Sequence, residues 1–277
     1  MTGVSILIPA HNEADYLPTC LDAVFASQDV IGPVEVIIIA NGCTDNTVEI
    51  AQDYARVADW KGWTLKVLEM FDGNKLEAWN AGEARATGNA LVYLDADVIV
   101  SRSLINNLEK AVETIAPRYA SGQPKVTVDG DWVTRHYTRF WKTTPFMTNG
   151  VPGFGVFAMN RKGRARWGDW PDIISDDTFA RLHFRPHERI PVPATYDWPM
   201  IEGFRRLVQV RRRQDAGVAE IQSLYPELME NDDHHKNTAP LWRRILRDPE
   251  GFAVFALVRI AIYLPVMRSS NRWVRGR

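Results

Sequence analysis

The chain has 277 residues, 45% hydrophobic and 24% charged, with a formal net charge of −1. That length supports one large α/β domain, or a domain with a helical tail, and the composition excludes a disordered or fibrous chain. Near-neutral charge removes any global field that would gather nucleic acid.

Charge is nevertheless uneven. Arginines crowd the last third, among them Arg205, Arg206, Arg243, Arg244, Arg247, Arg268 and Arg277. Such a local excess suits phosphate or an anionic membrane surface. Two cysteines, Cys20 and Cys43, lack metal-type spacing and read as reduced thiols of a cytoplasmic protein. The opening apolar run Val4–Ala10 is too short for a signal peptide and has no basic region before it. Arg259 and Pro265 interrupt the longest later run, Phe252–Met267. It falls short of the about 20 apolar residues that a spanning helix needs.

Taken in order, Val4–Pro9 predicts a strand, followed by a helix with apolar positions at Leu17, Leu21, Val24 and Phe25. Val34–Ala40 is a continuous run that suits a strand buried on both faces of a parallel sheet. Asn41–Asp45 supplies turn and cap residues, and the next helix uses Val48, Ile50, Ala51 and Tyr54. Trp63–Met70 predicts a third strand, Lys75–Thr87 a third helix ending at Gly88, and Ala90–Leu94 a fourth strand. This alternation predicts a mostly parallel sheet flanked by helices. Ligands of such sheets bind at the carboxyl ends of the strands, and the clusters His11–Glu13, Asn41–Asp45 and Asp95–Asp97 all fall there. Beyond Ser101 the pattern loosens. Lys125–Val128 and Trp132–Tyr137 read as strands of a separate small antiparallel piece, Asp169–Phe184 as loop into helix, and the chain from about Pro240 as arginine-rich helix.

Asp95-Ala96-Asp97 follows an apolar strand, so in extended geometry its two carboxylates share a face and reach one cation. Mg²⁺ or Mn²⁺ suits carboxylate oxygens and takes further ligands from substrate phosphates. On spacing alone, the same acids serve equally well to cap a helix over Ser103–Val112.

Four blocks, in order, resemble family 2 glycosyltransferases of the GT-A fold: Ser5–Glu13, Ala40–Thr47, Lys75–Gly82 and Leu94–Val98. The resemblance implies an α/β fold with a nucleotide-sugar-binding half over 1–110 and an acceptor-binding half over 111–225. An arginine-rich helical extension over 226–277 completes this division. It implies an inverting, metal-dependent transfer from a nucleotide-sugar donor, UDP-sugar favoured, to a saccharide or lipid-linked acceptor in cell-envelope or exopolysaccharide synthesis. Pro9, Ala10, His11 and Glu13 would wrap the nucleoside, with Asn41 and Lys75 as further donor contacts. Asp97 would ligate Mn²⁺ or Mg²⁺ directly, with Asp95 and Ala96 nearer the donor. The family carries an aspartate pair where this chain has Ala40-Asn41, so Asn41 would act through its amide.

By the same resemblance Asp177 is the base that deprotonates the acceptor hydroxyl, with Asp176 in place of the family's glutamate. Helix capping suits the same two acids. Gly153 and Phe154 belong to a loop resembling the family's glycine-containing acceptor loop, and Trp167 and Trp170 suit either sugar stacking or core packing. Gln209–Arg213 partly matches the family's Gln-x-x-Arg-Trp motif, with Arg212 as the candidate ligand-binding arginine and Arg213 in place of tryptophan. In the family a metal ligand is sometimes a histidine downstream of the base; His183, His187, His234 and His235 stand there, and each suits a structural or solvated role as well. The segment Trp242–Arg277 suits either a helix lying on an anionic membrane or one packed on the catalytic domain. Two other readings compete: a catalytically silent nucleotide-sugar-binding protein, motivated by Ala40 and Arg213, and a nucleotidyltransferase. The latter's glycine-rich loop is missing from Pro9–Glu13.

Overall fold

Parallel pairing begins where the sequence is most apolar. In the computed structural model, which describes residues 3–232 and 239–264, β1 (Val4–Ala10) and β2 (Val34–Asn41) are buried along their whole lengths. They pair from Val4↔Val34 to Ala10↔Ala40. Val36, Ile37, Ile38 and Ile39 are all 0% exposed, so both faces of β2 are covered. Each of these side chains contributes about 1.5–3 kcal/mol through burial, which makes a solvent-facing sheet surface untenable here. The half-exposed edge strand β3 (Thr64–Met70) lies beside β2, and β4 (Ala90–Leu94) lies on the other side of β1.

Past β4 the sheet changes direction. β7 (Val156–Asn160) runs antiparallel to β4, from Ala90↔Asn160 to Leu94↔Val156. With β5 (Ile99–Val100), β6 (Tyr119–Thr127) and β8 (Arg189–Pro199), the full order is β3-β2-β1-β4-β7-β6-β8-β5. The antiparallel strands thus continue the parallel sheet and are not a separate piece.

The helices are α1 (Leu17–Phe25), α2 (Thr47–Asp53), α3 (Ala55–Lys61), α4 (Lys75–Glu83), α5 (Leu104–Val112), α6 (Trp132–Trp141), α7 (Pro145–Thr148), α8 (Arg161–Arg164), α9 (Asp176–Leu182), α10 (Phe204–Leu224), α11 (Leu241–Arg247) and α12 (Pro249–Tyr263). The stretch expected to be a strand at Trp132–Tyr137 is the first half of α6. Its β-prone aromatic and branched residues are overruled by packing. Thr134, Tyr137, Thr138 and Trp141 share a buried helical stripe, the Tyr137 ring stacks 5.3 Å from Phe255, and the Asp131 carboxylate caps the helix by accepting from Thr134 N–H at 2.7 Å. Helix α10, 21 residues long, was not foreseen. No helix among the described residues is long and apolar enough to cross a membrane.

Two compact units result, interleaved along the chain. The first comprises Met1–Lys125, Gly153–Asp172 and His183–Trp198; the second comprises Val126–Pro152, Ile173–Leu182 and Pro199–Arg277. The first contains the parallel strands, and the second packs α12 against α6 and α10.

One buried charge ties the amino ends of the first unit's strands together. Glu35, 6% exposed, accepts from Ser5 Oγ at 2.5 Å and Gly88 N–H at 3.3 Å, and pairs with Lys66 Nζ at 2.6 Å. Burial alone would raise its pKa, but the bonds from Lys66, Ser5 and Thr87 prevail and hold it down at about 2. The pKa is depressed in the fold, so this stabilisation is complete above the ordinary glutamate range and is lost as pH falls towards about 2. We expect Glu35→Gln to cost about 2–3 kcal/mol in urea unfolding at neutral pH, and to flatten the acid limb of the stability profile between pH 4.5 and 2. An unchanged acid limb would remove Glu35 from this role.

Candidate active site

The carboxyl ends of β2, β1 and β4 emerge side by side, and the polar loops that follow the first two are bonded to each other. Asn12, at φ 54°, accepts from Thr44 N–H at 2.6 Å and Asp45 N–H at 3.2 Å through Oδ1. Asp45 accepts in return from Ala14 N–H at 3.2 Å, and Thr47 Oγ1 from Glu13 N–H at 2.8 Å. The exposed His11 donates through Nδ1 to the Asn41 carbonyl at 2.6 Å. Both Asn41 amide hydrogens are engaged, with the Ala10 carbonyl at 2.9 Å and the Ile39 carbonyl at 3.2 Å. At 3% exposure Asn41 is a clamp on the strand ends, and its donors do not face outward towards a base. Pro9 and Ala10 are buried within β1.

A third loop closes over these two. Gly42 lies at φ 63°, and a Cβ there would stand 2.7 Å from the Gly73 nitrogen. Only glycine accepts both that backbone angle and that approach. The loop then enters α4, which Asn74 caps by accepting from Leu76 N–H at 2.9 Å. Lys75 is the first residue of α4, where the expected third helix begins, and the helix ends at Glu83. Its Nζ lies 2.8 Å from Asp95 Oδ1 and 5.6 Å from the Trp79 ring centroid.

Asp95-Ala96-Asp97 is a turn instead of an extension of β4. The strand ends at Leu94, and Val98 N–H bonds the Asp95 carbonyl at 3.2 Å. Asp95 N–H donates to the Gly155 carbonyl at 2.9 Å. Gly155 permits this contact at φ 77°, where a Cβ would meet Trp198 at 2.8 Å and Val98 at 3.0 Å. Asp95 and Asp97 are half-buried, with Ala96 buried between them. The helix-cap alternative fails, because β5 intervenes and Ser103 occupies the N-cap of α5.

The local field favours a cation. Beneath this edge, burial and the carboxylates of Asp97, Asp95 and Glu13 together push the Cys20 thiol far up. Among the described residues no group of three His, Cys, Asp or Glu side chains is arranged to hold a metal. Two aspartates on one turn, with the balance from substrate phosphates and water, suit Mg²⁺ or Mn²⁺.

The acceptor-side candidates divide between the units. Gly153 and Phe154 lie in the first, where the Phe154 ring meets Trp198 edge-on at 4.8 Å and its carbonyl accepts from Tyr196 at 2.7 Å. Trp170 is 4% exposed, with its backbone N–H donating to Asn80 Oδ1 at 2.8 Å and its indole N–H to Glu83 Oε1 at 2.5 Å, and the Trp167 ring lies tilted 4.5 Å from His183. Trp170 is a packing residue, whereas Trp167 is half-buried. In the second unit Asp176 and Asp177 form the first turn of α9, Asp176 buried and Asp177 half-buried. Arg212 donates to the carbonyls of Ile262 at 2.8 Å, Ala261 at 3.1 Å and Leu264 at 2.9 Å, capping the end of α12. His187 is exposed in a 3₁₀ turn, and His234 and His235 lie outside the described residues. The cross-ties of Asn12, Asp45 and Thr47 escaped sequence reasoning. Their one sequence signal was a clustering of Asx and Thr residues after two consecutive strands.

Comparison with known proteins agrees with this geometry. The glycosyl transferase family 2 profile matches residues 5–190. The glycosyltransferase AglE of Haloferax volcanii is 32% identical over 114 residues, covering 41% of this chain and 35% of AglE. A dolichyl-phosphate beta-glucosyltransferase of Drosophila melanogaster is 31% identical over 123 residues, covering 42% of this chain and 37% of the relative. The chain thus spans about a third of the length of these curated relatives. Among solved structures, the mannosyltransferase PcManGT of Pyrobaculum calidifontis, in complex with GDP-Man and Mn²⁺, superposes with a TM-score of 0.59 at 19% identity. That match covers 93% of this chain and 73% of PcManGT. S. aureus TarS in complex with UDP-GlcNAc gives 0.54 at 13% identity, covering 94% of this chain and 72% of TarS. With its GT-A sheet and this profile match, the chain belongs to glycosyl transferase family 2.

Proposed function

We propose that the protein is an inverting, metal-dependent glycosyltransferase. It moves a sugar from a nucleoside-diphosphate sugar, with UDP-sugar the favoured donor, to a hydroxyl of a saccharide or lipid-linked acceptor in cell-envelope or exopolysaccharide synthesis. The observation that carries this reading is the Lys75–Asp95 ion pair beside Asp97, on the sheet edge where the β1 and β2 loops are bonded together. Complexes of PcManGT with GDP-Man and Mn²⁺, and of TarS with UDP-GlcNAc, support a nucleotide-sugar donor.

In this reading Asp97 holds Mn²⁺ or Mg²⁺ and Asp95 turns towards the donor. A cation held by Asp97 would supply charge to neutralise the departing diphosphate. Lys75, already balanced against Asp95, offers its ammonium to the same phosphates. His11 and Glu13 border the nucleoside, with Pro9, Ala10 and Asn41 fixing the loop backbone beneath it. Asp177 removes the acceptor proton as that oxygen attacks the anomeric carbon. Attack opposite the leaving diphosphate inverts the configuration.

Calorimetric titration with UDP, GDP and dTDP, each with and without Mn²⁺, tests the donor assignment. We expect UDP to bind most tightly and only with the cation; no binding of any nucleotide would sink the proposal. Asp97→Asn is expected to weaken cation-dependent binding by at least about tenfold, as loss of a metal-site partner does.

The base is tested separately. Asp177→Asn should lower transfer about 100- to 10 000-fold while leaving nucleotide affinity intact; unchanged transfer would refute Asp177.

A third variant tests the loop closure. Gly42→Ala should cost about 1–2 kcal/mol in urea unfolding, from the forced left-handed backbone, and weaken nucleotide binding with it. Full stability with full affinity would show that the Gly42–Gly73 approach is dispensable.

A further inference from the structure

Helix α12 is almost wholly apolar, yet only one side of it is packed. Val254, Val258, Ala261 and Ile262 are buried, and Phe252 and Phe255 lie 5.3 Å and 5.2 Å from Phe140 of α6. On the other side Leu257, Ile260, Tyr263 and Leu264 are 50–75% exposed. Their spacing of three and four residues places them on one stripe. Arg259, the one basic residue of α12, is neutralised by Asp215 at 2.7 Å.

Helix α11, which touches α12, exposes apolar side chains of its own and supplies charge. Leu241, Trp242 and Leu246 are 53%, 58% and 74% exposed. Between them stand Arg243, whose guanidinium lies 5.1 Å from the Trp242 ring, Arg244 and Arg247. The same helix lines a cavity of about 740 Å³ with Arg139, Lys142, Arg244, Arg247, Asp248 and Glu250. Asp248 and Glu250 both pair with Arg139. Arg244 donates to the neutral Thr143 hydroxyl at 3.0 Å, and burial pushes its pKa down. Among the described residues neither Arg244 nor Arg247 pairs with a carboxylate, so two arginines of α11 bring positive charge to a concave site beside exposed tryptophan and leucines.

Contiguous exposed apolar side chains on a soluble domain mark a contact surface. Aromatic and aliphatic anchors beside clustered arginines complement one kind of surface: an apolar interior under anionic headgroups. We propose that α11 and the exposed stripe of α12 form a docking surface for an anionic lipid bilayer. Trp242, Leu246 and Leu257 enter the interface, and the Arg244–Arg247 cavity takes a headgroup phosphate. The proposal is independent of the donor chemistry assigned above.

Co-sedimentation of the full chain with phosphatidylcholine vesicles, with and without phosphatidylglycerol, tests it. Binding is expected only to the anionic vesicles, and should fall with added salt. Arg243→Ala and Arg247→Ala should each weaken partitioning about fivefold. Leu246→Ser, on an exposed position and checked for folding by circular dichroism, should weaken it as well. Absence of sedimentation with anionic vesicles would overturn the proposal, as would binding that all three variants leave unchanged. So would calorimetric binding of inorganic phosphate without vesicle binding, which would make the cavity a soluble-anion site. A dimer in analytical ultracentrifugation that Leu246→Ser dissociates, again without vesicle binding, would assign the face to a second copy of the chain.

Discussion

Parallel registration of β1 between β2 and β4 is the constraint on which the first unit depends. Three strands buried on both faces have no freedom to place a polar residue along their length. Polar chemistry is therefore expelled to the strand ends, and parallel pairing brings all three carboxyl ends to one edge. The amino ends obey the same rule differently. There Glu35 is tolerated inside only because Lys66, Ser5 and Thr87 satisfy it.

At the carboxyl edge the balance of charge decides what the site can hold. Burial raises the Cys20 thiol, and the carboxylates of Asp97, Asp95 and Glu13 add to that rise. Lys75 offsets one of these carboxylates at 2.8 Å. An edge rich in carboxylates with the Lys75 ammonium beside it suits a divalent cation bound together with phosphate, since each supplies the charge the other lacks. The loops above it are stiff for a backbone reason as much as a side-chain one: Gly42 and Gly73 approach so closely that no Cβ fits between them.

The second unit follows another logic. Its α6 and α12 pack through aromatic rings, and Arg211 and Arg212 of α10 are spent inside that packing, while Arg205 and Arg206 at the start of α10 are exposed. Arg211 lies 4.2 Å from the Trp141 ring centroid, and Arg212 holds the last carbonyls of α12. The arginines of α11, like Arg205 and Arg206, face solvent or a cavity. A count of arginines in the last third cannot separate these roles, because guanidinium stacks on rings, caps helices and binds phosphate equally well.

Much of the fold was legible in the sequence, because the first hundred residues repeat a simple physical pattern: apolar runs at strand length, each followed by turn residues and a helical period. The run Val34–Ala40, apolar but for Glu35, determined a strand buried on both faces, and three polar clusters after three such strands fall on one sheet edge. The sequence did not determine α6, whose Trp132–Tyr137 segment has strand propensity and becomes helical only because α12 offers it a packed face. Nor did it show that Asn41 spends its amide on strand-end carbonyls, that Lys75 meets Asp95, or that Arg212 caps a helix 50 residues away. Local period and propensity are carried by neighbours in the chain and can be read from it. A polar side chain's partner is set by whichever distant group the fold brings within 3 Å, and only the tertiary structure decides that.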